Sequence, residues 1–234
     1  MLKLNAACGL RPFGYAEENS GVLIHQISPV AGHGKEVSSA GRVPLNWHTD
    51  LAICQEPYRP QFLSLVGMRN QAATPTLIAE LDDILQALQR RASRLIETLP
   101  QPRFRLESPA LLKLWGGKSL RSEPRDLLSP GTMGLELIAA AKLNSVTATN
   151  PEAERGLQAI QAVLPELTRS LLIRLGTLLI FNNLGVMQCR PAIHQRGERC
   201  LQRVYSRHCL RRLRDATASG PKTVIFPISR LIME

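Results

Sequence analysis

Aromatic residues make up only 4% of the 234-residue chain, so stacking platforms for single-stranded nucleic acid are scarce. Acidic residues are outnumbered, 19 against 29 Lys and Arg, which leaves a net charge of +10. No apolar run reaches the eighteen residues of a membrane-spanning helix. The N-terminus, Met1-Leu-Lys-Leu-Asn-Ala-Ala-Cys-Gly9, has no apolar stretch long enough for a secretory signal. There is no Gly-x-Gly-x-x-Gly and no Cys-x-x-Cys. The five cysteines (Cys8, Cys54, Cys189, Cys200, Cys209) are odd in number. A disulfide framework and a zinc ribbon are therefore disfavoured, and reduced thiols in a cytoplasm are expected.

What the chain does have is a core-forming composition, 44% hydrophobic, and one domain over residues 1–234 is the natural reading. Its basic charge is concentrated from Arg190 to Lys222, where Arg196, Arg199, Arg203, Arg207, Arg211, Arg212 and Arg214 face only Glu198 and Asp215. Such a stripe suits an anionic substrate, a solvated face or nucleic acid. The last is the weakest of the three, given the few aromatics.

Along the chain, residues 1–20 read as a lead-in loop. Strands are predicted at Gly21–Ser28, Val43–Asp50 and Phe62–Met68, with a Gly-containing loop over 33–42. From Thr76 the apolar period becomes helical, and an amphipathic helix is predicted over 77–98, ended by Pro100. Residues 101–135, with Trp115-Gly-Gly-Lys118, read as an irregular connection or lid. A short strand at 144–149 precedes a second helix that starts at Pro151. Strands then follow at Ser170–Phe181, with a turn at Gly176, at Cys200–Ser206 and at Thr223–Ile228. Strands before and after the helices, without βαβ alternation, predict a mainly β fold of antiparallel sheets flanked by helices.

The chemistry centres on Trp47-His48-Thr49-Asp50. On an extended strand, residues two apart share a face, so His48 and Asp50 can present an imidazole and a carboxylate to one point. Those are two of the three ligands of the non-haem iron facial triad. Alone, His-x-Asp is a common accident. It is followed here by Pro57-Tyr-Arg-Pro-Gln-Phe-Leu-Ser-Leu65, Arg69-Asn70 and Thr76-x-x-Ala-x-x-Asp-Asp-Ile84, and later by Gly176-Thr-Leu-Leu-Ile-Phe-Asn-Asn183 and Arg199-Cys-Leu-Gln-Arg-Val-Tyr205.

Together these blocks, spanning roughly residues 10 to 206, resemble the clavaminate synthase-like branch of the Fe(II)/2-oxoglutarate oxygenases. That branch lies within the taurine dioxygenase superfamily and includes hydroxylases of free amino acids. The resemblance implies a double-stranded β-helix (jelly roll), Fe(II) as metal and 2-oxoglutarate as co-substrate. It implies O2 and an amino-acid-like small molecule as the other reactants, with succinate and CO2 as co-products. It assigns His48 and Asp50 to the metal, and Thr76 with Arg199 or Arg203 to 2-oxoglutarate. Guanidinium suits that task because it grips a carboxylate in a fixed bidentate geometry. Relative to the branch, the N-terminal part is short and the central insertion reduced.

One position departs from the family pattern. Where the family places its distal histidine ligand, this chain has Gln188 in Asn183-Leu-Gly-Val-Met-Gln188-Cys-Arg190. An amide oxygen is a poorer Fe(II) ligand than imidazole. Three readings stay open: Gln188 ligates weakly, His194 swings in to replace the missing histidine, or the fold has lost catalysis and binds a small anion or a protein partner. Oligomeric state is not legible.

Overall fold

The computed structural model describes residues 1–16, 18–54, 58–108, 121–131, 134–137, 145–194, 198–208 and 224–226. In chain order the elements are α1 (Leu2–Ala7), β1 (Leu10–Tyr15), β2 (His25–Ile27), β3 (Leu45–His48), β4 (Phe62–Asn70), β5 (Thr76–Glu80) and α2 (Leu81–Ile96). Next come β6 (Phe104–Leu106), β7 (Leu128–Gly131), β8 (Gly134–Leu137), β9 (Val146–Ala148) and α3 (Pro151–Leu167). The last are β10 (Arg169–Leu171), β11 (Leu178–Asn182), β12 (Val186–Arg190), β13 (Arg199–His208) and β14 (Val224–Phe226).

Two sheets carry the fold. The larger has the order β11-β4-β13-β1-β14, with β2 also on β13, and the smaller has the order β10-β5-β12-β3. Every pairing in them is antiparallel except β1 with β14. The crossings from β4 to β5 and from β10 to β11 run side by side, because β4 pairs with β11 and β5 with β10. Gly67 makes that approach possible: a Cβ there would collide with the carbonyl oxygen of Arg174. Gly176, at φ +79°, turns the second crossing. This is the jelly-roll architecture expected from the sequence, mainly β and antiparallel, with helices outside.

α2 and α3 pack on each other and on the smaller sheet through Ile84, Ala87, Leu88, Leu157, Ile160 and Leu164. Burying each of the leucines and isoleucines contributes about 1.5–3 kcal/mol. α3 starts where Pro151 predicted, with Asn150 capping it by accepting a hydrogen bond from the Ala153 amide at 2.8 Å.

Four expectations change. Residues 76–80 form β5 rather than the first turn of a helix, because Leu77 and Ile78 are claimed by ladders from both β10 and β12. Helix α2 starts after Glu80, whose backbone is still extended. The stretch 170–181 is two strands in different sheets, not one. The lead-in contains α1 and β1, a strand whose Pro12 hid it from pattern reading. Within 101–135, β6 and β7 are ordered ladders, and residues 109–120, including Trp115, lie outside the described residues. So do Arg196, Arg211, Arg212 and Arg214. Among the described residues no helix is long and apolar enough to cross a membrane.

Candidate metal centre

β3 and β12 are antiparallel neighbours, and their register sets Gln188 directly opposite His48. Asp50 is not on the strand, as the sequence suggested, but in the turn after it. Leu51 adopts φ +52°, a left-handed conformation that costs a β-carbon residue about 1–2 kcal/mol. The turn is tied down by Asn183, which is fully buried. Its Oδ1 accepts from the Asp50 amide at 2.8 Å, and its Nδ2 donates to the carbonyls of Asp50 (3.0 Å) and Pro60 (2.9 Å). The turn thus swings the Asp50 carboxylate back beside His48.

Two side chains then converge on one carboxylate oxygen of Asp50. His48 Nε2 lies 3.3 Å from Asp50 Oδ1, and the Gln188 amide lies 3.4 Å from the same atom. His48 Nδ1 donates to the carbonyl of Asn46 at 2.6 Å, so Nε2 faces Asp50 either with a second proton or as a lone pair that shares a cation with it. Ligands about 2.1 Å from an ion and at right angles stand about 3 Å apart, so both separations are within a few tenths of a facial set. Rotation of the Gln188 amide about its last bond exchanges its nitrogen for its oxygen. The residues present therefore fit a divalent ion, with one imidazole and two oxygen donors. Among the described residues no group of three or more His, Cys, Asp or Glu forms a metal site. His194 is exposed, away from the cleft, and its carbonyl is held by Arg42 at 3.2 Å. Gln188, not His194, is the residue that stands beside His48 and Asp50 in the structure.

Asp50 is ionised in this setting. Burial raises its pKa, but Arg203 and His48 outweigh burial and bring it down to about 2. Arg203 Nη1 donates to Asp50 Oδ2 at 2.8 Å, leaving Oδ1 as the atom shared with His48 and Gln188.

The two arginines expected on one face of a closing strand are on one face: Arg199, Leu201 and Arg203 of β13 all line the cleft. Their surroundings differ. Arg203 is clasped by two carboxylates, Asp50 and Glu18. Arg199, 5% exposed, has no carboxylate partner among the described residues. Its Nη2 donates to Thr76 Oγ1 at 2.8 Å, and its Nε has no partner. Burial and the nearby Arg190 lower its pKa to about 10, so it still carries its charge. A buried, charged, under-satisfied guanidinium facing a cleft is an anion seat.

Sequence reasoning passed over four residues that shape this site. Asn183 and Arg190 stood inside the motif block without a role. Arg190 donates to the carbonyls of Val43, Pro191, Ser38 and Gly41 at 2.6–3.2 Å, fastening the loop ahead of β3. Glu18 and His25 carried no signal, because only folding brings them to Arg203. Three arginines of the basic stripe, at 190, 199 and 203, are thus buried in the site rather than spread on a solvated face.

A jelly roll with a His-x-Asp pair and a buried arginine lining one cleft has the architecture of the Fe(II)/2-oxoglutarate oxygenases. No protein-family model matches the chain. It is 23% identical over 240 residues to enduracididine beta-hydroxylase of Streptomyces hygroscopicus, covering 92% of this chain and 68% of that protein. Among solved structures, it superposes on asparagine oxygenase in complex with Fe(II), 3-hydroxyasparagine and succinate with a TM-score of 0.76 and 23% identity. That match covers 87% of this chain but only 63% of the other, so the chain spans less than two thirds of that relative's length. The non-heme iron oxygenase OrfP in complex with Fe and alpha-ketoglutaric acid gives a TM-score of 0.73 and 25% identity, over 96% and 68% of the two chains. The chain has the fold of the Fe(II)/2-oxoglutarate oxygenases, and its relatives lie in their amino-acid hydroxylase branch, as the motif blocks implied.

Proposed function

We propose that this chain is an Fe(II)- and 2-oxoglutarate-dependent hydroxylase of an amino acid or a related small molecule. The observation that carries this reading is the polarity of one cleft. A convergent His48–Asp50–Gln188 set stands at one part of it, and the carboxylate-free Arg199, bonded to Thr76, at another. Iron held by His48, Asp50 and Gln188 would supply, with 2-oxoglutarate and O2, the oxidising power to hydroxylate an unactivated C–H bond, giving succinate and CO2. His48 Nδ1 keeps its proton on Asn46, which fixes the tautomer that offers Nε2 as a donor. Arg203 holds Asp50 ionised and oriented. Arg199 and Thr76 would take the far carboxylate of 2-oxoglutarate, and Leu63, Leu65 and Leu201 line the same cleft and keep water from it. The four free cysteines among the described residues support a reducing, cytoplasmic setting.

The relatives' substrates favour an amino acid, and the test is direct. The protein with Fe(II), 2-oxoglutarate, ascorbate and a panel of free amino acids should form succinate, with a 16 Da gain on one of them. No succinate above the rate of iron alone, with folded protein, would refute the enzyme reading. A second reading, a non-catalytic member that binds a small anion, is favoured by Gln188 alone. It predicts that 2-oxoglutarate binds through Arg199 while succinate never forms.

A further inference from the structure

Glu18 lies beneath the cleft rather than in it, 8% exposed and far in sequence from His48, Gln188 and both cleft arginines. The chain turns at this point: Glu18 N donates to the Tyr15 carbonyl and its own carbonyl accepts from Gly21, with Ser20 at φ +55°. Its Oε1 accepts from Arg203 Nη2 at 2.6 Å and from the Tyr205 hydroxyl at 3.2 Å. His25 closes the cluster. Its Nε2 donates to the Val22 carbonyl at 2.7 Å, and its Nδ1 lies 3.3 Å from Arg203 Nη2 and 3.4 Å from Glu18 Oε1. The guanidinium carbon of Arg203 also lies 4.4 Å from the centroid of the Tyr205 ring. Arg203 is therefore gripped on one side by Glu18, His25 and Tyr205. Asp50 is met by Nη1 alone, in a single bond to Oδ2, while Nε has no partner among the described residues.

We infer that Glu18 is a positioning residue of the metal centre: by holding Arg203 and offsetting its charge, it leaves Asp50 Oδ1 free and negative enough to take a cation. The inference rests on the reading of His48, Asp50 and Gln188 as metal donors. The charges give its logic. Asp50, Glu18 and Arg203 sum to −1. Remove the Glu18 charge and the sum is zero, while Arg203 is free to close on both oxygens of Asp50. Both changes oppose a divalent ion. A third ligand as weak as an amide leaves the site dependent on this balance.

Calorimetric titration of the full chain with Co(II), an air-stable probe, tests it. Glu18→Gln should bind Co(II) about 10–100-fold more weakly than the unaltered protein, the range for groups that orient a ligand. Glu18→Asp, which keeps the charge beside Arg203 on a shorter side chain, should stay within about fivefold, a retention that a merely structural role for the Glu18 side chain would not produce. Should Glu18→Gln fail to fold, Glu18→Asp carries the test alone: affinity within about fivefold supports the inference, and a loss of more than about tenfold overturns it. Unchanged affinity in Glu18→Gln, or a Glu18→Asp variant weakened as much as Glu18→Gln, overturns it. If the unaltered protein itself binds no Co(II), the metal reading has failed and this inference with it.

Discussion

Truncating Asn183 should loosen the site from behind. In Asn183→Ala the fully buried side chain disappears, and with it three hydrogen bonds, to the amide and carbonyl of Asp50 and the carbonyl of Pro60. One N–H and two carbonyls are left without partners inside the protein. Each such group costs about 1–3 kcal/mol, and a water entering the small cavity recovers part of it. The net loss is about 3–5 kcal/mol, a large share of the roughly 5–15 kcal/mol that hold an ordinary domain together. The turn also loses what keeps Leu51 left-handed, so relaxing that residue carries the Asp50 carboxylate away from His48. Urea unfolding should show a lower midpoint with an unchanged slope, and Co(II) titration a weaker site. Asn182→Ala is the control, because Asn182 is half-buried and its side chain accepts only the Leu184 amide, at 2.9 Å; it should lose about 1 kcal/mol or less. If Asn183→Ala lost no more than Asn182→Ala and kept its Co(II) affinity, Asn183 would not be what holds the turn.

Acid should weaken the protein through Asp50. Its folded-state pKa of about 2 lies below the ordinary 3.8. The resulting stabilisation, about 2 kcal/mol, is present above pH 4 and is lost as pH falls from 3.8 through 2. The stability gap between the unaltered protein and Asp50→Asn, measured by urea unfolding, should narrow across that window and not above it. Arg199→Met should weaken 2-oxoglutarate binding by a factor of 30 or more, since losing one partner of a buried charged pair costs about 2–5 kcal/mol. Thr76→Val, which removes a neutral hydroxyl, should cost about tenfold or less by the same titration. Gln188→His should tighten Fe(II) binding about tenfold or more, because imidazole replaces an amide at the position opposite His48.

Much of this was legible in the sequence where local patterns and final geometry coincide. Leu81–Ile96 and Pro151–Leu167 announced themselves by period and by Pro151, and Arg199 and Arg203 by their spacing on β13. Pattern failed where tertiary pairing decided. Thr76–Glu80 shares the helical period of Leu81–Ile96, yet two ladders hold it as a strand. The turn at Gly176 was visible, but not that the chain changes sheets there. At the site, His48 and Asp50 were found for a reason that proved incomplete. Alternation along a strand does not bring them together; the turn at Leu51 and the bonds of Asn183 do. The difference between the two arginines was invisible, since Glu18, which distinguishes them, lies on the first strand's exit.

The central claim, that His48 and Asp50 with Gln188 form a working iron site beside a 2-oxoglutarate seat, is tested most directly without oxygen. Fe(II) added to the protein with 2-oxoglutarate under anaerobic conditions should give a weak visible metal-to-ligand charge-transfer band. The band should vanish in His48→Ala while 2-oxoglutarate binding at Arg199 persists. A folded protein that gives no band at millimolar iron, or a band that survives in His48→Ala, would contradict the account.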